Sequence, residues 1–166
     1  MTILGHETRM MQNSALGAVL LWRFSHAYTK ASEADEVLMP LCFLPLPMIW
    51  HETTFEHVRS TQLNSGLRRF AAKFTDTSPS DLDILLDLNR RALLWRSKSL
   101  QSIRTGLSTG LLKLTSSGHL KPNGNTWTVG DSNAQTRKMC NAAEKIGTWF
   151  ASLTLREISL AIHVNF

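Results

Sequence analysis

Cysteine, proline and glycine are all sparse in this sequence of 166 residues, and each scarcity excludes something. The two cysteines, Cys42 and Cys140, stand 98 residues apart, and neither has a second Cys or a His at metal-ligand spacing. That excludes a disulfide framework and a zinc finger, and leaves both thiols as expected small apolar residues of the interior. Gly and Pro together occupy only 14 positions, while 43% of the residues are hydrophobic and 19% charged, which is the composition of a folded globular chain and not of a disordered or collagen-like one. At this length one domain is expected, or two small units sharing a core.

Long apolar runs are missing too. Val37 to His51 has no Lys, Arg, Asp or Glu, but Pro40, Pro45 and Pro47 break it, and it is too short to span a bilayer. Met10 to Trp22 is interrupted by Gln12, Asn13 and Ser14, and no small-x-small cleavage site follows, which argues against a secretory signal. A soluble, cytoplasmic protein with no membrane partner is therefore expected. Catalytic signatures are equally scarce: there is no glycine-rich phosphate loop followed by Lys-Ser/Thr, no Gly-x-Ser-x-Gly elbow, and no His close to Cys140 in sequence. His51, Glu52, Glu56 and His57 cluster, but the two histidines are six apart, so a helix would point them to different faces and the spacing of a metallohydrolase helix is absent. No catalytic residue, cofactor or metal is expected.

The most informative absence is of negative charge. From Leu88 through Gly130 there is not one Asp or Glu, while Arg90, Arg91, Arg96, Lys98, Arg104, Lys113 and Lys121 supply seven cations; the whole chain carries only +5. Such a segment reads as a nucleic-acid contact, as a docking face for an acidic protein, or as a solvated basic surface. Gln101, Ser102 and Thr105 are the only polar candidates beside Arg104 for reading bases, so DNA contact here is expected to be sequence-independent.

What is present is helical periodicity. Asn13 and Ser14 precede Leu16, Val19, Leu20, Leu21, Phe24 and Tyr28, which places a helix at 14–30. The apolar Met39 to His51 segment reads as a kinked central helix buried on all sides, so that even Phe43→Asp would strand a charge in the core. Leu63, Leu67, Phe70, Ala71 and Phe74 stripe an amphipathic helix at 62–74. Ser78-Pro79-Ser80-Asp81 opens a helix running to about Trp95, and Thr154 with Glu157 forms a capping box before a short last helix that follows one at 133–151. Ser97 to Gly110 reads as a helix, Leu111 to Thr115 and His119 to Lys121 as a hairpin around Ser116-Ser117-Gly118, and Thr126 to Val129 as one more strand.

The expected fold is mainly α with a small β-hairpin. It is a single compact domain over 1–166, comprising a helical part at 1–75 with the proline-rich segment, a winged-helix-like part at 76–130 and C-terminal helices at 131–166. In a winged helix the second helix and the wing face DNA. Trp127, an aromatic in a polar, turn-rich stretch, is the expected partner-contact residue.

Several stretches resemble a known family. They are Asn13 before an apolar helix ending in Phe24-Ser25-His26-Ala27-Tyr28; the segment Met39 to His51; Gly106 to Leu120; and Ala143 to Ala151 followed by Ile162-His163-Val164. Together they are similar to the middle component of the bacterial three-component ABC-type ATPase systems, a family that includes the small subunit of Lamassu-type antiphage and antiplasmid complexes. The proline expected directly after Asn13 is Ser14 here. The resemblance covers nearly the whole chain and implies a non-enzymatic subunit that bridges an SMC-like coiled-coil ATPase and an effector, often a nuclease. It transfers no particular functional residue, but it implies a subunit that works only in a complex and so an apolar partner surface, for which the wing around Leu120 and the last helix are the candidates after Trp127. The rival from another class is an autonomous winged-helix transcriptional regulator, against which the second helix's poverty in Asn, Gln and Arg counts; a small hydrolase is a third, which no motif supports.

Overall fold

The computed structural model describes residues 13–124 and 133–166. Among them the chain is mainly helical, with a single two-stranded antiparallel hairpin. Helix α1 spans Ser14–Ala31, capped by the Asn13 side chain, which accepts from the Leu16 amide at 2.7 Å. A 3₁₀ turn, Met39–Phe43, leads into α2 (Pro45–Ile49) and then α3 (Glu52–Ser60). After a second 3₁₀ turn, Leu63–Ser65, come α4 (Gly66–Thr77), α5 (Pro79–Leu86), α6 (Leu88–Leu94) and α7 (Arg96–Ser108). Strands β1 (Leu112–Leu114) and β2 (Leu120–Pro122) pair with Lys113 opposite Lys121, and α8 (Ala134–Ala151) and α9 (Leu155–Ile162) close the fold.

Helix α1 is the central element, packed between α7 and α8 and against β2. Small residues allow the close approach on both sides. A Cβ at Gly147 of α8 would overlap the Phe24 carbonyl oxygen of α1, and one at Gly17 of α1 would overlap the Ser102 hydroxyl of α7. Phe24 meets Phe150 edge to face at 5.8 Å, and the Arg23 guanidinium reaches Glu144 at 2.6 Å, which ties α1 to α8 on the polar side of the same contact. Phe70 and Phe74 carry α4 into the same core, where Phe70 lies 5.8 Å from the Trp149 ring. Core residues come from all three sections of the chain that the sequence distinguishes.

The hairpin is held to the body rather than projecting freely. Val37 bridges Leu120 by two backbone hydrogen bonds of 2.7 and 3.0 Å, and the Trp22 indole donates to the Asn123 carbonyl at 3.0 Å. The strand expected at 126–129, together with Trp127, lies outside the described residues.

Two expected elements differ. The helix opened by Ser78-Pro79, whose Ser78 hydroxyl caps the Asp81 amide, does not run to Trp95. It breaks at Asp87, where ψ opens to −7°, so α5 and α6 are separate helices. The proline-rich segment is a 3₁₀ turn followed by a one-turn-and-a-half α-helix, since Pro45 and Pro47 lack the amide that a continuous ladder needs. Nor is that segment buried on all sides: Leu41, Cys42 and Leu46 are, but Pro40 is exposed and Phe43 only partly covered. No helix among the described residues is long and apolar enough to cross a membrane.

Candidate functional site

The seven cations of the acid-free segment do not form one stripe. Arg91 is 8% exposed and donates to the Thr54 hydroxyl at 3.1 Å; burial, its main perturbation, lowers its pKa. It is a packing residue, and the expectation that it meets nucleic acid is corrected by its position in the interior. Arg90 grips Asp87, with one of its two bonds at 2.9 Å. Lys121 faces Asp35 at 3.8 Å, and the Lys98 ammonium sits 5.5 Å from the Trp95 ring centroid.

Arg96, Arg104 and Lys113 are exposed. On α7, Arg96, Leu100 and Arg104 follow one another at four-residue spacing and so share a flank of the helix, while Lys98 falls on the other side. The stretch without acids in sequence is therefore not without acids in space. Asp87 precedes it, Asp35 comes from the loop after α1, and Glu36 accepts from the Ser117 hydroxyl at 2.8 and 2.9 Å. Hydrogen bonds from Thr115 and Ser117 hold the Glu36 carboxyl below its ordinary pKa, with His119 and Lys121 adding to them.

Beside Arg96 the surface turns apolar. Leu93 and Leu94 at the end of α6 are 64% and 63% exposed, and Leu100 is 48% exposed. Leu93 and Arg96 border a groove of about 340 Å³ between the Met39–Phe43 turn, α6 and the tail Val164–Phe166. Its walls are Met39, Pro40, Phe43, Leu44 and Ala92 on one part, and Val164 and Phe166 on another. The tail is fixed in place by the Asn165 amide, which donates to the Asn89 side chain at 3.0 Å.

Residues 1–166 match the family model described as ABC-three component (ABC-3C) system Middle Component 3. The chain belongs to this family. No curated protein and no solved structure matches it. Membership in Middle Component 3 makes the chain one component of a multi-component system, so partner subunits are implied.

Membership in Middle Component 3 implies surfaces that meet partner subunits, and the residues expected to form them are placed differently in the structure. Leu120 is fully buried, packed in the core beneath the hairpin, so it offers no surface to a partner. Trp127 lies outside the described residues. The histidines of the His51–His57 cluster serve local structure. His51 caps α3 by accepting from the Thr54 amide at 3.4 Å, and burial first, then the Arg91 charge, lowers its pKa, which favours the neutral, accepting ring. His57 pairs with Asp81 at 3.2 Å.

Sequence reasoning does not single out the exposed leucines of α6 or the groove. Leu93 and Leu94 carry a signal as two adjacent apolar residues at a helix end, but adjacency alone does not say which one the core covers. The groove has no local signal, because its walls come from three distant parts of the chain.

Proposed function

We propose that the protein is a non-catalytic adaptor of a bacterial antiphage or antiplasmid defence complex, bridging an SMC-like coiled-coil ATPase and an effector subunit of nuclease type. Its family membership supplies the multi-component setting. The observation that carries the reading is the composition of the α6–α7 surface, where Leu93, Leu94 and Leu100 stand exposed among arginines. Apolar side chains on an open surface lose free energy to water unless a partner covers them, and Arg is the cation most favoured at such contacts.

In this reading the outlying cations Lys98, Arg104 and Lys113 give the assembled complex a sequence-independent hold on DNA. They are exposed, they lie on the helix and hairpin that follow each other as in a winged helix, and the neighbouring side chains include few suited to reading bases. The test is the salt dependence of DNA binding by the assembled complex. Replacing Lys98, Arg104 and Lys113 by Ala is expected to lower the log-log salt slope by about 2.7 units, about 0.9 for each phosphate no longer neutralised, with assembly unchanged. An unchanged slope would remove DNA from the account and leave the adaptor role to stand on assembly alone.

A further inference from the structure

We propose that the groove between the Met39–Phe43 turn, α6 and the Val164–Phe166 tail is the docking site for an acidic, amphipathic segment of a partner protein. A bulky apolar side chain of that segment enters the groove, and a carboxylate beside it pairs with Arg96. The inference rests on the adaptor reading and assigns to it a site and a partner chemistry.

Three observations select this occupant. The hollow is apolar over most of its wall, and at about 340 Å³ it is at the small end of the range of ligand sites, which suits a side chain better than a cofactor. Its border carries a cation that has no countercharge among the described residues. Arg96 is exposed, and among the described residues it makes no ion pair, while Asp87, the acid that precedes the segment, is held by Arg90. Finally, Asn89 and Asn165 brace the tail against α6, so the wall formed by Val164 and Phe166 is held before any partner arrives.

The same charges disfavour the other occupants. A second copy of this chain docked symmetrically would bring Arg96 and Arg90 toward their own equivalents, and the chain carries a net charge of +5. A nucleic acid would satisfy Arg96 but would leave Leu93 and the apolar wall against phosphates and sugars, with nothing to gain from their burial. An acidic segment with an apolar anchor answers both features together.

Photocrosslinking within the assembled complex tests this. A photoreactive phenylalanine analogue is placed at position 93, the complex with the ATPase and effector subunits is irradiated, and the crosslinked residue is mapped by mass spectrometry. The expected product joins position 93 to an apolar residue of a partner subunit with Asp or Glu within one helical turn of it. Arg96→Glu in the same background is expected to lower the yield at least tenfold. The melting temperature should stay unchanged, because Arg96 is exposed and has no ion pair among the described residues. Crosslinks to DNA, to a second copy, to this chain itself or to a partner segment without acids would overturn the proposal, as would a yield indifferent to Arg96→Glu. An assembled complex that gives no crosslink from position 93 overturns the groove alone. Partner subunits that do not bind the wild-type chain overturn the adaptor reading and the groove with it.

Discussion

The ammonium of Lys145 on α8 donates to the Thr61 carbonyl oxygen at 2.8 Å, and the same nitrogen reaches the carbonyls of Arg59 at 2.8 Å and Val58 at 3.3 Å. These are the unpaired carbonyls at the C-terminal end of α3, the negative end of its dipole, so one lysine closes a helix from a distant element. Lys145→Met keeps the stem and removes the three donors. The expected loss is about 2 kcal/mol of stability, the scale of hydrogen bonds made by a charged group, read as a lower denaturant midpoint with an unchanged slope.

Arg91 and Arg104 are both arginines of the acid-free segment, yet they should behave oppositely. Arg91→Ala removes a buried side chain and its bond to Thr54. It is expected to cost about 2 kcal/mol of stability while leaving the salt slope of DNA binding untouched. Arg104→Ala on the exposed flank of α7 should do the reverse, with stability within about 0.5 kcal/mol of wild type and a slope smaller by about 0.9. Parallel melting curves and salt titrations of the two variants decide it.

The proline-rich segment has two sides, and substitutions should separate them. Leu46 is fully buried, so Leu46→Asp places a carboxylate in the core at a cost of about 4 kcal/mol or more, most of the stability of a marginal domain. Phe43 lines the groove and is only partly covered, so Phe43→Asp should leave a folded protein with a measurably lower melting temperature. Equal losses of folded protein for the two would place Phe43 in the core after all.

These cases show where the sequence is readable and where it is not. The caps at Asn13, Ser78 and Thr154 are legible because donor and acceptor lie three residues apart, and the Thr154–Glu157 box forms as the spacing requires. The hairpin is legible for the same local reason. The charge pattern misleads because Asp35 and Glu36 reach the segment across a gap of some eighty residues, as with Glu36 and Ser117, which only the fold closes. Continuous apolar composition between Met39 and Trp50 correctly marks a core element, but it cannot show that Pro40 and Phe43 face a groove completed by the C-terminal tail.

Cys42 supplies a pH prediction. Complete burial pushes its thiol from the ordinary 9.0 up to about 12. The unfolded chain loses this proton first as pH rises, so the contribution to stability is fully present below pH 9.0 and is lost progressively toward 12. Burial also raises the Cys140 pKa, so both thiols should resist a thiol reagent at about pH 8 in the native protein and react only on unfolding. Prompt native labelling of Cys42 would mean that the segment opens readily.

The proposed bridging role requires that the ATPase and the effector associate through this chain. The most direct measurement is light scattering on size-exclusion fractions of the purified ATPase and effector, mixed with and without this protein. The account predicts one ternary species when the chain is present and two separate peaks when it is absent. Co-elution of ATPase and effector without it, or a chain that binds neither, would contradict the account.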